Sequence, residues 1–249
     1  MIKLIHLSKQ FGNHTAINNI HLTVNAGEIF GFIGPNGAGK TTTIQIMAGL
    51  LLPSSGNVLL SDISMNDDPV KAKQIVGYIP DRPFIYEKLT GMEYLRFIGD
   101  FYHVSESTFL KRSQELLNQF ALMDRSNELI EAYSHGMKQR LIMASALLHD
   151  PPIIIVDEPM VGLDPVAIKL VRDIFQQKSS QGTTIFMSTH TLSLAEQICH
   201  RVGIIHNGQL IATGTIDELK ASAKKGTNDL EDIFFQLTYA NTQEEATIS

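Results

Sequence analysis

The chain has 249 residues, 43% hydrophobic and 18% charged, which allows a substantial core and excludes wholesale disorder. Its net charge of -6 argues against a nucleic-acid partner, which calls for a basic balance or a basic stripe. The lone Cys199 rules out an intramolecular disulfide and fits a reducing cytosol.

In chain order, residues 2–7 and 20–24 alternate apolar and polar side chains like half-exposed strands, with Gly12, Asn13 and His14 as a turn between them. Residues 29–33 (IFGFI) read as a buried strand running into a Gly-rich loop, and a helix is expected over about 39–51, ended by Pro53, Ser54, Ser55 and Gly56. From about 86 to 148 the pattern is mostly helical, with apolar residues at helical spacing over 93–102, 109–120 and 137–148. Pro151-Pro152 breaks this, and residues 153–156 (IIIV) form an apolar strand of the kind buried inside parallel sheets. Strands over 183–187 and 202–205, a helix over 192–198 and an Asn207-Gly208 hairpin follow. Residues 230–237 (LEDIFFQL) read as one short amphipathic helix, and 241–249 as a polar end expected to fray. The order predicts an α/β chain with a mostly parallel sheet and a helical lobe, about 86–150, inserted into it. No run of ~18 apolar residues crosses a bilayer, and the N-terminus has no stretch resembling a signal peptide.

The chemistry begins at Gly34-Pro35-Asn36-Gly37-Ala38-Gly39-Lys40-Thr41, which fits G-x-x-x-x-G-K-[ST], the phosphate-binding loop. Its glycines let backbone N–H groups curl around phosphates, and the following helix points its positive end at them. Lys40 can reach the β- and γ-phosphates, the Thr41 hydroxyl can bind Mg²⁺, and Thr42 completes the loop's nucleotide contacts. Such a pattern arises by accident in roughly 1% of chains this long; its place between a strand and a helix lowers that further. At the end of the 153–156 strand stand Asp157 and Glu158. Asp157 can hold Mg²⁺ directly or through water, and Glu158 can position or deprotonate the attacking water. Four apolar residues before an acid are weak evidence alone. Beside a phosphate loop they are strong, because phosphoryl transfer needs both the cradle and the acid.

Here the chain resembles the ATP-binding cassette (ABC) family, over about residues 1–220, with 221–249 as a C-terminal tail. Tyr133-Ser134-His135-Gly136-Met137-Lys138-Gln139-Arg140 looks like that family's signature motif, usually LSGGQ. Gly162-Leu163-Asp164-Pro165 is similar to the D-loop, Ser188-Thr189-His190 to the H-loop, and Tyr78-Ile79-Pro80-Asp81 sits where the Q-loop belongs. The resemblance implies a P-loop NTPase core with an N-terminal antiparallel β subdomain and the inserted helical subdomain. It implies ATP and Mg²⁺ as ligands, with Lys40, Glu158 and His190 as the catalytic set and Thr41, Asp81 and Asp157 on the metal. Phe11 matches the aromatic that stacks on adenine, against a competing reading as a core side chain. Ser134 and Gly136 match groups that contact the γ-phosphate bound on the opposite subunit, so the resemblance implies a homo- or heterodimer with two ATP sandwiched between subunits. Three residues depart from the pattern: Asp81 is one methylene short, His135 replaces a glycine, and Met137 replaces a glutamine.

Seven of the 18 aromatic residues lie between 78 and 102. They are either the core of the helical lobe or a groove for a partner helix. The resemblance favours the groove, since a membrane permease subunit docks near 81–102 in the family. It also implies a cytoplasmic protein, peripheral on the inner face of the membrane, similar to exporter-type cassettes. A soluble cassette switch and a regulatory subunit without turnover are the rival readings.

Overall fold

The structure is a computed structural model that describes residues 1–82, 84–160, 162–222 and 229–246. It opens with an antiparallel sheet. Strands β1 (Ile2–Phe11) and β2 (His14–Val24) meet at the expected Gly12 turn, and β4 (Ser55–Leu60) and β5 (Ile63–Ser64) extend the sheet in the order β2-β1-β4-β5. A second sheet of six strands has the order β10-β9-β3-β8-β7-β6, built from β3 (Ile29–Ile33), β6 (Val76–Ile79), β7 (Ile153–Asp157), β8 (Thr184–Thr189), β9 (Arg201–His206) and β10 (Gln209–Gly214). All its pairings are parallel except β9 with β10, the hairpin closed by Asn207-Gly208.

The apolar runs explain this layering. Along β3 and β7, successive side chains face opposite sides. Phe30, Phe32, Ile153 and Ile155 join a core with the antiparallel sheet and helix α1 (Lys40–Met47). Ile29, Ile33, Ile154 and Val156 join a second core with the helices on the other face. Strands buried on both faces cannot show alternation, which is why they read as uninterrupted apolar runs.

Several expectations are corrected. Helix α1 ends at Met47 rather than at residue 51, because Gly49 turns left-handed (φ 67°), where a Cβ would lie 2.8 Å from Met65 Sδ. The Ser55-Gly56 pair that looked like a stop signal instead begins β4, where Gly56 lets the backbone pass close to His6. Strand β6 and helices α2 (Pro69–Gln74) and α6 (Pro165–Ser180) were not legible as elements. Helix α6 nevertheless carries a start signal: Asp164 accepts from the Ala167 N–H at 2.8 Å and Pro165 opens the helix.

Three helices span the segment expected to be helical: α3 (Gly91–Phe101), α4 (Glu106–Gln119) and α5 (His135–Leu147). A Thr90/Glu93 capping box starts α3, and Ser134 caps α5. Arg112 of α4 donates to Leu147 O and Leu148 O, both at 2.7 Å, and pairs with Asp150, which also binds Lys178 of α6. This node ties the helices to the parallel-sheet core. At the chain's end, α7 (Leu192–Ile198), α8 (Ile216–Ser222) and α9 (Leu230–Ala246) pack together. The last helix is longer than expected: the polar stretch is helical through Ala246, and 247–249 lie outside the described residues.

His149 stacks on Tyr102, with ring centroids 3.7 Å apart and planes within 8°. Burial is the main cause that pushes its pKa down to about 4. The folded state therefore prefers the neutral ring. That contribution is intact above the unfolded pKa near 6.5 and drains away as pH falls toward 4, on the order of 3 kcal/mol at most. His149→Phe, which keeps the stack, is expected to flatten the fall in unfolding free energy between pH 6.5 and 4, measured by urea titration. An unchanged slope would place the acid sensitivity elsewhere.

Candidate functional site

The parallel register brings the predicted groups to one edge. Ile33 at the end of β3 pairs with Thr189 of β8, and Asp157 at the end of β7 pairs with Ser188. The phosphate loop, the two acids and His190 therefore leave three adjacent strands at their carboxyl ends, the edge where open α/β sheets bind ligands.

In the loop, Gly39 stands at φ 106°, and a Cβ there would lie 2.6 Å from Ala16 O. Only glycine fits. The buried Lys40 folds back to donate to Gly34 O at 2.7 Å and Pro35 O at 3.2 Å. Burial lowers its pKa, opposed by the carboxylates of Glu158 and Asp157. Asp157 is 2% exposed and accepts from Ser188 Oγ at 2.5 Å. The same hydroxyl oxygen accepts from the Glu158 N–H at 3.1 Å. Glu158 sits in the left-handed region (φ 50°), a strained setting for a non-glycine residue, and its Oε1 lies 2.9 Å from His190 Nδ1. Ser188 thus anchors both acids. The sequence names it only within the H-loop-like Ser188-Thr189-His190, with no role of its own, although a polar residue in a wholly buried strand needs a partner.

Above the loop opens a cavity of ≈ 660 Å³, large enough for a nucleotide. Phe11, Pro35, Asn36, Gly37, Gly39, Lys40, Thr41, Thr42, Asp81, Glu158 and His190 all line it. Phe11 is 49% exposed, which favours a stacking surface over a core side chain, and the Lys9 ammonium lies 5.0 Å from its ring centroid. Gly34, Ala38 and Asp157 lie outside that lining. Gly34 supplies the carbonyl that holds Lys40, and Ala38 and Asp157 are buried. Ser134 and Gly136 are also absent from the lining, and the Ser134 hydroxyl accepts from the Met137 N–H of its own helix. His14, Arg82 and His135 line the cavity in addition. His14 follows Phe11 in the turn, and Arg82 follows Asp81, so adjacency was the available signal for both. The His135 ring lies against Gly162, where a Cβ would come within 2.6 Å of it.

A glycine-rich loop between a buried strand and a helix, with an acid pair at the end of a neighbouring parallel strand, defines a P-loop nucleotide hydrolase. The family described as "ABC transporter" matches residues 17–161. The linearmycin resistance ATP-binding protein LnrL of Bacillus subtilis is 36% identical over 219 residues, 88% of this chain and 70% of that protein. A solved ATP-binding subunit of an ABC transporter superposes with a TM-score of 0.90 at 33% identity, covering 95% of this chain and 99% of that one. The cassette MJ0796, solved as a dimer in a post-hydrolysis state bound to ADP and Pi, matches with a TM-score of 0.76 at 26% identity, covering 86% and 98%. The chain belongs to the ABC transporter family, as an ATP-binding and ATP-hydrolysing subunit. Among the described residues, no helix is long and apolar enough to cross a membrane.

Proposed function

We propose that the chain works at the inner face of a membrane, coupling Mg²⁺-dependent ATP hydrolysis to movement of cargo through a separate permease subunit. The observation that carries this is the meeting of Lys40, the Ser188-anchored Asp157 and the Glu158–His190 pair at one sheet edge. Hard oxygen donors suit Mg²⁺, which binds through one or two protein groups together with phosphate oxygens. Asp157, Thr41 and Asp81 are the candidates, and a carboxylate buried and oriented by Ser188 fits that task. When bound, Mg²⁺ screens the phosphate oxygens as charge shifts in the transition state.

The protein's own groups do the rest. Loop N–H groups and Lys40 hold the β- and γ-phosphates, Phe11 carries the adenine, and Glu158 orients the attacking water and takes its proton. His190 holds Glu158 before nucleotide enters and then turns to the γ-phosphate. Ser134 and Gly136 serve the site of a second subunit, as expected for groups outside their own chain's cavity lining. ATP closes the two-subunit sandwich, hydrolysis reopens it, and the permease follows.

Exposed aromatic residues support the docking reading. Phe84 (80% exposed) meets Tyr86 edge-on, and Tyr86 meets Phe97, each at 5.4 Å between centroids. Phe97 and Phe101 lie one turn apart on α3. Phe101 in turn lines an apolar cavity of ≈ 590 Å³ with Leu50, Val70 and Tyr78. Such an apolar face suits a partner's helix. Tyr78 links groove and site: burial pushes its phenol up to about 12, and the nearby Asp157 and Asp81 carboxylates add to the shift. The linearmycin-resistance name of LnrL supports an exporter-type partner. Tyr86→Glu is expected to cut transport about tenfold or more in reconstituted vesicles while ATP affinity stays within about twofold. Transport at the native rate would remove the groove from the coupling path. Co-purification with an integral membrane protein distinguishes this function from that of a free cassette switch.

A further inference from the structure

Helix α7 starts two residues after His190 and stands between two features. On one side a cavity of ≈ 370 Å³ is lined by Ser193, Leu194 and Gln197 of α7 together with Glu158 and His190. On the other, the tail closes over it: Leu230 and Ile233 of α9 are buried (0% and 2% exposed) in the same core as Leu194, Ala195 and Ile198. Glu196 of α7 adds a polar fastening to this apolar contact. Glu196 Oε1 accepts the Leu230 N–H at 3.0 Å, capping the start of α9, and pairs with Lys220 Nζ of α8 at 3.2 Å. A carboxylate at a helix N-terminus is held by both the orphan N–H groups and the helix dipole. At its far end α7 is tied to the sheet: the His200 N–H donates to Ile29 O, and His200 Nδ1 accepts the Ile29 N–H.

The helix is therefore pinned at its C-terminal end and clamped in the middle, and its N-terminal end carries the segment that bears His190. We infer that the tail, through Glu196, is a positioning element for His190, so that seating of α9 on α7 sets the rate of ATP cleavage and leaves nucleotide affinity alone. This rests on the reading of His190 as a γ-phosphate contact. Glu196 is a positioning residue: it acts through α7 and lies outside the lining of both cavities that His190 shares with Glu158.

The test is steady-state ATP hydrolysis by the full chain with Glu196→Ala, Glu196→Gln, His190→Ala and the double variant Glu196→Ala/His190→Ala. Glu196→Ala is expected to lower kcat about fivefold to tenfold, with KM for ATP within about twofold. Glu196→Gln keeps an acceptor for the Leu230 N–H and should recover most of the loss. In the His190→Ala background the second substitution should change kcat less than about twofold, because both act through one group. Leu230→Ala, which trims the buried contact and leaves Glu196 in place, should lower kcat in the same direction. Native kcat in Glu196→Ala, or the same fold-loss with and without His190, would overturn the inference. Native turnover by His190→Ala would instead sink the assigned role of His190.

Discussion

Glu158→Gln is expected to lower ATP turnover by at least about a hundredfold while leaving ATP affinity nearly unchanged. The substitution keeps size and removes the charge. An amide cannot take a proton from the attacking water, and it gives up the carboxylate contact to His190 Nδ1 at 2.9 Å. The nucleotide contacts assigned to the loop and to Phe11 are untouched, so binding should survive. A subunit that binds ATP without cleaving it should also accumulate in the closed form, visible as an ATP-dependent dimer in light scattering. The left-handed backbone at residue 158 belongs to the argument: the surroundings hold that conformation, and glutamine occupies it much as glutamate does. Phosphate release at the native rate would show that another group activates the water.

The second large effect concerns Ser134 and Lys40 together. Ser134→Arg should abolish turnover and spare ATP binding, since Ser134 does not line its own chain's nucleotide cavity. Lys40→Ala should weaken ATP binding about a hundredfold, because it removes a cation worth two charge-assisted hydrogen bonds. Lys40 now bonds to Gly34 O and Pro35 O, contacts it can exchange for phosphate oxygens. In a mixture of the two inactive variants, half of the dimers formed at random hold one complete site of two. About a quarter of native activity should then return. No recovery on mixing would exclude a homodimer with sites completed in trans.

The phosphate loop was legible because its chemistry needs contiguous residues: the glycines, Lys40 and Thr41 must be neighbours for their amides and side chains to surround one phosphate. The buried strands β3 and β7 were legible because strands covered on both faces are apolar at every position. Strand β6 was missed because Val76–Ile79 is four residues long; helix α6 was missed although Ala167, Val171, Ile174 and Phe175 carry helical spacing. The tail helix was read too short, since polarity alone marked its second half as an end.

By itself, then, the sequence determined the loop, the acid pair and the order of the family's motifs, all of which depend on neighbours along the chain. Tertiary structure alone decided what holds them. The register of β7 against β8 sets Ser188 under Asp157 and Glu158, and that of β8 against β3 brings His190 to the same edge. It also left Phe84 and Tyr86 ahead of α3, and Phe97 and Phe101 on it, facing solvent while burying Tyr94. Hydrogen bonds such as Glu158 N–H to Ser188, 30 positions apart, and Ile29 N–H to His200, 171 apart, arise only when the sheet forms, because no local signal ties one strand end to another.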